Sequence, residues 1–113
     1  MPFIRITTNE KIDKRAEGAL TVDLGSAIEC IKGKTERWLM LEFKGEAKMT
    51  FSGNNFACAM VEVDLLGAAT PTEKNVLTEQ LCNIINVALG VPTDRIYVRY
   101  YETDTWGYDC QNL

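Results

Sequence analysis

The chain repeats one hydrophobic pattern, and its two copies lie 57 residues apart. In both copies, apolar residues recur at the three- and four-residue spacing of a helix that is apolar on one side. The helical positions are Leu20, Leu24, Ala27, Ile28 and Ile31 in the first copy and Leu77, Leu81, Ile84, Ile85 and Ala88 in the second. Before each helix, Ile4 and Ile6 match Val61 and Val63 in an alternating strand pattern. A match of this length predicts two copies of one structural unit.

A second strand follows each helix. We predict these strands over residues 38–43 and 96–101, each directly after an arginine, Arg37 or Arg95. Right-handed crossovers in two strand–helix–strand units place both helices on the same face of the sheet. The expected fold class is therefore α+β (α/β), with two βαβ repeats that form a four-stranded mixed sheet under two helices. The expected single domain covers residues 1–113, with repeats at 2–43 and 58–101 and a linker at 44–57.

Local signals mark the ends of these elements. Gly33 and Gly90 keep the 57-residue offset and are typical of the left-handed residue that ends a helix. Thr70 and Glu73 have the spacing of a capping box, which predicts the start of the second helix. In the linker, the pattern predicts a short strand over residues 48–51 with a turn directly after it.

The sheet face away from the helices has a mixed character. The alternation that turns Ile96 and Val98 toward the helices turns Tyr97, Arg99 and Tyr101 away from them. The other residues expected on this outer face are Arg5, Met60, Glu62 and Asp64. Aromatic rings among charges of both signs are typical of an oligomer interface that also lines a wet channel. The alternative is a solvated face on a monomer.

Charge and hydropathy exclude several classes of partner. The 113 residues carry a net charge of −4 and give a pI of about 4.8, whereas nucleic acids and anionic membranes require a basic face. No apolar run approaches the ~20 residues that span a bilayer. The segment that begins Met1-Pro2-Phe3 lacks the apolar core of a signal peptide, so we expect a cytoplasmic location.

The residue types also limit the chemistry. The chain has no histidine, which excludes serine–histidine and cysteine–histidine catalysis, so another group must transfer protons near neutral pH. The four cysteines, Cys30, Cys58, Cys82 and Cys110, form no Cys-x-x-Cys pair. We therefore expect reduced thiols, no metal site and no cofactor.

Several segments resemble the family of macrophage migration inhibitory factor and D-dopachrome tautomerase, nearly end to end. The matching segments are Pro2-Phe3-Ile4, Thr8-Asn9, Gly33-Lys34, Met49-Thr50-Phe51-Ser52-Gly53, Cys58-Ala59, Leu66-Gly67 and Asp94-Arg95-Ile96-Tyr97-Val98-Arg99-Tyr100-Tyr101. The resemblance implies a homotrimer whose three sheets surround a central channel. It also implies keto–enol tautomerase activity on phenylpyruvate-like or dopachrome-like compounds at sites between subunits.

The resemblance also implies roles for individual residues. Met1 is expected to be removed, which makes Pro2 the catalytic base. Lys34 matches a substrate-binding lysine, Leu66 a position whose backbone amide contacts the ligand, and Tyr97 a tyrosine from a neighbouring subunit. Arg99 and Tyr108 stand where mammalian members have asparagine and tryptophan. Of the family's Cys-x-x-Cys motif only Cys58 remains, with Val61 in the other position, so thiol oxidoreductase activity is not expected.

A free amino-terminal proline is chemically suited to this role. An α-amino group has a pKa of roughly 8, and burial or a nearby cation such as Lys34 or Arg99 lowers it. A shift of about two units would give a base that works near neutral pH. We therefore expect Pro2 to move the proton, Lys34 to hold a carboxylate and Tyr97 to donate to the enolate oxygen. The expected aromatic walls are Phe3, Trp106 and Tyr108.

Each of these residues also has a structural interpretation. Lys34 follows a glycine that ends a helix and would then serve the helix dipole. Arg99 would pair with Glu62 across the sheet, and Tyr97 would pack in an interface. Two other functions stay open: a cytokine-like or host-modulating binding protein that reaches a receptor by export without a leader, and decarboxylation or hydration of a short unsaturated acid.

Overall fold

Four strands form one mixed sheet, as the repeat predicts. The computed structural model describes residues 1–113. The strands are β1 (Pro2–Thr8), β2 (Met40–Lys44), β3 (Ala59–Leu66) and β4 (Ile96–Thr103). Their order across the sheet is β2-β1-β3-β4, with β1 parallel to β2, antiparallel to β3, and β3 parallel to β4. The two parallel pairs are the two repeats, and the antiparallel pair joins them at the centre of the sheet.

The two helices begin at side chains that satisfy their free N–H groups. Helix α1 (Lys14–Ala27) begins after Asp13, whose carboxylate accepts from Ala16 N at 2.8 Å. Helix α2 (Pro71–Leu89) begins with the predicted capping box: Thr70 Oγ1 accepts from Glu73 N at 3.1 Å, and Glu73 Oε1 accepts from Thr70 N at 2.8 Å. These side chains accept hydrogen bonds from N–H groups at the helix N-terminus, which have no acceptor within the helix.

One apolar core joins the helices to a single face of the sheet. Its fully buried side chains come from alternate strand positions and from one side of each helix. They include Ile4, Ile6, Val61, Val63, Leu20, Leu24, Leu77, Leu81 and Ile85. Burial of each such side chain stabilises the fold by ~1.5–3 kcal/mol. The structure thus confirms the predicted arrangement of two helices on one face. Neither helix has the length and apolar character needed to cross a bilayer.

Two predictions about local elements were wrong. Trp38 does not belong to a strand, because Glu36–Trp38 forms a 3-10 turn and β2 begins at Met40. Residues 48–51 form no strand either, because no neighbouring strand of the chain offers them hydrogen-bond partners. Only Phe51 makes a single bridge, to Asn54 across a tight turn.

The first helix ends earlier than predicted. Helix α1 stops at Ala27, and the chain continues through a 3-10 turn at Ile28–Cys30. Gly33 has the expected left-handed conformation (φ 83°), but it lies in the turn that follows rather than at the helix end. Because Ile28 and Ile31 remain buried, the apolar stripe runs on after the α-helix has ended. Hydrophobic spacing alone therefore misplaces this boundary.

A hairpin at the carboxyl end has no counterpart in the predictions. Strands β5 (Gly107–Tyr108) and β6 (Gln111–Asn112) pair across a two-residue turn. Both turn residues, Asp109 (φ 49°) and Cys110 (φ 68°), are left-handed, as a type I′ hairpin turn requires. The usual asparagine–glycine signal is absent, so the sequence does not indicate the turn.

Replacing Gly18 and replacing Gly90 by alanine should change the free energy of unfolding in opposite directions. Gly18 lies within α1, with open space where the side-chain carbon of an alanine would stand, so Gly18→Ala should raise the free energy of unfolding by ~0.5–1 kcal/mol. Gly90 ends α2 at φ 72°, so Gly90→Ala should lower it by ~1 kcal/mol. Urea unfolding of both variants tests the helix boundaries, and equal signs would contradict them.

Candidate active site

Four strand ends meet at one end of the sheet. There β1 begins at Pro2 and β2 at Met40, while β3 ends at Leu66 and β4 at Thr103. The register aligns them, since Phe3 lies beside Met40, Pro2 beside Leu65, and Leu66 beside Thr103. We call this region the proline end of the sheet. The first residues of the chain are therefore held at the centre of the sheet, with a strand on each side.

Lys34 reaches the same place from the turn after α1. Gly33 reverses the chain there, and Lys34 N donates to Ile31 O at 3.0 Å. The Lys34 ammonium donates to Leu66 O at 2.7 Å, and Leu66 N donates to Met1 O at 3.1 Å. Three predicted site residues, Pro2, Lys34 and Leu66, are thus brought together within one chain.

The amino terminus is less basic than usual at this position. Burial of the amino group, and secondly the hydrogen bond and positive charge of Lys34, lower the pKa of the Met1 amino terminus from 8.0 to about 6. A large share of these amino groups is therefore uncharged at neutral pH. Pro2 itself is more buried than Met1. The start of β1 thus places an amine of lowered pKa beside the Lys34 ammonium.

A cleft of about 380 Å³ opens beside this cluster. It lies between the turn that carries Lys34 and the segment that follows Leu66, and the N-terminus of α2 forms its far wall. Its volume falls in the range of small-molecule sites. A larger hollow of about 510 Å³ lies at the opposite end of the sheet, between Asn9 and Thr50, and contains none of the predicted site residues. The smaller cleft is the better candidate because two of the predicted site residues, Lys34 and Leu66, line it.

Two predicted aromatic residues belong to this region: Tyr108 lies at the proline end, and Phe3 lies on β1, which starts there. Tyr108, in the carboxyl-terminal hairpin, contacts Trp38 edge-on with ring centroids 5.2 Å apart. Strands β2 and β4 are the two edges of the sheet. Trp38 precedes β2 and the hairpin follows β4, so this contact shows that the hairpin crosses the proline end from one edge to the other. Phe3 lies on the outer face of β1, where the Arg5 guanidinium is 5.3 Å from its ring centroid.

Tyr97 lies at the other end of the sheet. It pairs with Met60, which is five residues along β3 from Leu65, the neighbour of Pro2. At ~3.3 Å per residue the separation is about 16 Å, so a single chain does not bring Tyr97 to the cleft. Its phenol ring is 62% exposed and contacts Phe51.

Arg99 belongs to a row of charges across the outer face. Arg99 Nη2 contacts Glu62 at 2.7 Å, Arg5 contacts the same carboxylate at 3.5 Å, and Arg5 Nε donates to Glu42 at 2.9 Å. The Glu42 carboxylate, and then Glu62, raise the pKa of Arg5. The row alternates in sign over all four strands. The pairing of Arg99 with Glu62, left open by the sequence, is therefore present.

The predicted site omitted two aromatic residues that the structure connects with it. Trp38 and Phe51 each contact one predicted site tyrosine. Trp38 was assigned to a strand and Phe51 to the linker, so no sequence pattern linked them to Tyr108 or Tyr97. No group of cysteine, aspartate and glutamate side chains is placed to hold a metal ion, and all four cysteines are free thiols.

The fold and this cleft define a class of small α+β proteins. The chain has two βαβ repeats, and a terminal amine of lowered pKa lies at the start of its first strand. A family model described as "Macrophage migration inhibitory factor (MIF)" matches residues 1–111, and the chain belongs to that family. The family includes tautomerases and proteins with cytokine-like roles.

Individual relatives agree over most of the chain. Macrophage migration inhibitory factor of Mus musculus is 26% identical over 102 residues, which cover 90% of this chain and 88% of the relative. D-dopachrome decarboxylase of Gallus gallus is 24% identical over 107 residues, covering 94% and 90%. Among solved structures, Leishmania major MIF2 has a TM-score of 0.94 at 27% identity and covers 100% of this chain and 97% of its own.

A second solved structure agrees as well. The macrophage migration inhibitory factor homologue from Prochlorococcus marinus has a TM-score of 0.86 at 29% identity, with 97% of both chains covered. The two-repeat architecture is thus shared by proteins with fewer than one residue in three in common.

The basicity of the amino terminus should depend on Lys34. In protein that retains Met1, Lys34→Met removes the ammonium that disfavours a second positive charge, so the pKa of the Met1 amino group should rise above about 6, while burial, the larger cause, keeps it below 8.0. Lys32→Met is the matched control, because Lys32 is exposed two residues away and should leave that pKa unchanged. The pH dependence of amine acylation at low reagent concentration measures it. Equal shifts in both variants would contradict the assigned contact.

Proposed function

We propose that the protein is a keto–enol tautomerase of phenylpyruvate-like or dopachrome-like compounds, with Pro2 as the proton-transfer group. The observation that carries this proposal is a terminal amine of lowered pKa beside Lys34, which itself lines a cleft of suitable size. A base for this reaction must be uncharged near neutral pH and within reach of a cation that attracts an anionic substrate. The amino terminus of β1 meets both requirements without histidine.

The proposal requires removal of Met1, because the Pro2 nitrogen is an amide as long as Met1 is attached. Removal has a second effect on the cleft. Leu66 N–H donates to Met1 O, so its partner leaves with Met1 and the N–H becomes available to a substrate. Lys34 stays beside it, held by Leu66 O. Pro2 is a buried residue, whereas Met1 is only partly buried, so burial should also lower the pKa of the Pro2 amine.

The proposed reaction uses these three groups and the Tyr97 hydroxyl. Neutral Pro2 removes a proton from the carbon beside the substrate carbonyl, and the Lys34 ammonium holds the substrate carboxylate. Charge builds on the carbonyl oxygen as the enolate forms, and the Leu66 N–H and the Tyr97 hydroxyl are the proposed donors to that oxygen. One such donor contributes roughly 3 kcal/mol in other enzymes. Protonated Pro2 then delivers the proton to the enolate oxygen, which gives the enol and restores the neutral amine.

The site is incomplete without a second copy of the chain. Tyr97 lies about 16 Å along the sheet from Pro2, so it reaches a cleft only in a neighbouring subunit. The outer face exposes large apolar side chains that a monomer leaves uncovered, with Met40 67%, Tyr97 62% and Tyr101 65% exposed. We therefore propose a homotrimer in which each cleft lies between two subunits. Trimers are usual in this family.

A second candidate is decarboxylation or hydration of a short unsaturated acid with two carboxylates. The observation that favours it is Arg99, whose side chain remains 57% exposed although it pairs with Glu62. Its remaining N–H groups are available to a second carboxylate. Turnover of a short unsaturated diacid at a rate above that of phenylpyruvate would support this candidate over the first.

The Pro2→Gly variant tests the base. Once Met1 is removed, the variant keeps a terminal amine but loses the fixed ring nitrogen, so tautomerisation of phenylpyruvate should fall by ~10²–10⁴-fold. Intact mass of each preparation must show loss of one methionine. Unchanged turnover of a processed Pro2→Gly protein would exclude this mechanism, and a binding function without catalysis would leave the wild type inactive as well.

Mixing two inactive variants tests the shared cleft. Processed Pro2→Gly chains keep Tyr97, and Tyr97→Phe chains keep Pro2, so each alone should be strongly impaired. If chains are exchanged at random within trimers, about a quarter of the clefts should combine one intact Pro2 with one intact Tyr97. Refolding a mixture should therefore restore roughly that share of wild-type activity. A mixture no more active than the average of its components would place the whole site within one chain.

A further inference from the structure

Tyr97 is held by a cluster of an arginine and an aromatic ring, which we call the Phe51 cluster (Arg95, Phe51 and Tyr97). The Arg95 guanidinium lies 5.1 Å from the Phe51 ring centroid. The Phe51 ring contacts Tyr97 at 4.9 Å between centroids, with 60° between the ring planes. The linker thus places the Phe51 ring between Arg95, which directly precedes β4, and Tyr97.

A similar set of contacts joins the first repeat to the carboxyl-terminal hairpin, and we call it the Trp38 cluster (Arg37, Trp38 and Tyr108). The Arg37 guanidinium lies 4.9 Å from the Trp38 ring centroid. The Trp38 ring meets Tyr108 at 5.2 Å with 85° between the planes. Each cluster therefore contains an arginine from the 3-10 turn of its repeat, then an aromatic ring, then a tyrosine.

Neither tyrosine is fixed through its hydroxyl. Tyr97 is 62% exposed and Tyr108 49% exposed, and no hydrogen bond within the chain holds either hydroxyl. In contrast, the Tyr100 hydroxyl bonds to Thr78 and to the carbonyl of Lys74, each at 2.8 Å. An exposed phenol ring without such bonds keeps its side-chain freedom unless a neighbour packs against it. For Tyr97 and Tyr108 the neighbours are Phe51 and Trp38.

The arginine of the Phe51 cluster is itself fixed to the linker. Arg95 Nε donates to Ala57 O at 2.9 Å, and its Nη2 donates to Asn54 Oδ1 at 2.9 Å and to Phe56 O at 3.1 Å. These bonds tie the linker to the residue that directly precedes β4. Phe51 is therefore held on one side by a half-buried cation and contacts Tyr97 on the other.

We propose that Phe51 and Trp38 are positioning residues that aim the two tyrosines at the substrate, with Arg95 and Arg37 as their supports. The proposal rests on the proposed function, in which Tyr97 of a neighbouring subunit reaches the cleft, and on the expected place of Tyr108 as an aromatic wall of that cleft. Neither Phe51 nor Trp38 touches substrate in this arrangement. One cluster from each repeat thus fixes one tyrosine of the cleft.

The two positioning residues should affect different kinetic constants. Tyr97 donates to the oxygen that gains charge in the transition state, so misplacing its hydroxyl lowers kcat. Tyr108 packs against the substrate ring in ground state and transition state alike, so misplacing it raises KM. A contact that served only stability would produce neither pattern.

The experiment compares Phe51→Leu with Trp38→Leu in phenylpyruvate tautomerisation. Phe51→Leu should lower kcat by roughly threefold to tenfold, and Trp38→Leu should raise KM by roughly the same factor. The aromatic replacements Phe51→Tyr and Trp38→Phe should retain most of the activity. In a Tyr97→Phe background, Phe51→Leu should lower kcat no further, because the hydroxyl that it positions is already absent.

Phe56→Leu is the matched control. Phe56 also lies beside Arg95, at 5.9 Å, and is 69% exposed, but it does not contact Tyr97. It should leave both kinetic constants unchanged. Equal losses in Phe56→Leu and Phe51→Leu, or additive losses in the Tyr97→Phe background, would overturn the proposal.

A readout without catalysis separates this proposal from the proposed function. The chain has four tyrosines, so 3-fluorotyrosine labelling gives four ¹⁹F signals that single Tyr→Phe variants assign. Phe51→Leu should shift and sharpen the Tyr97 signal alone, and Trp38→Leu the Tyr108 signal alone, as the rings gain freedom. An inactive wild type with these changes would refute the proposed function and keep the clusters. Unchanged signals would refute the clusters whatever the activity.

Discussion

The position of β1 at the centre of the sheet is the constraint on which the rest depends. Strand β2 pairs with one side of it and β3 with the other, so the first residues of the chain have no freedom to fray. Chain termini are commonly mobile, and a mobile amine would be solvated and protonated at neutral pH. Here the fully buried Ile4 and Ile6 anchor the strand, so the energy of the core also fixes the position of the terminal nitrogen.

Electrostatics at the proline end follow from that placement. The amine lies in a partly desolvated place beside the Lys34 charge, and burial together with that charge lowers the pKa of the amine. Lys34 keeps a partner in Leu66 O, so its charge remains available to an anion. In contrast, the charges on the outer face neutralise one another in the row from Glu42 to Arg99. Lys34 forms no salt bridge and lines the cleft, so it places a positive charge there.

The sequence predicts what depends on short-range pattern and misses what depends on contacts between distant segments. Strand alternation and the 57-residue repeat indicate the mixed sheet and the single covered face, and the spacing of Thr70 and Glu73 indicates the start of α2. The 3-10 turn at Trp38 and the carboxyl-terminal hairpin lack such signals. Of the predicted site, Pro2, Lys34 and Leu66 meet through the sheet register. The distance of Tyr97 from them could not be read before the strand order was known.

The proposed chemistry depends on a Pro2 nitrogen that is uncharged at neutral pH after Met1 is removed. Titration of processed, ¹⁵N-proline-labelled protein by NMR measures this directly. The chain has three prolines, and the nitrogens of Pro71 and Pro92 are amides, so only the Pro2 signal titrates. We expect the Pro2 nitrogen to have a pKa of ~6–7, the range in which a general base works at neutral pH. A pKa above ~8, with the nitrogen cationic in the folded protein at neutral pH, would contradict it.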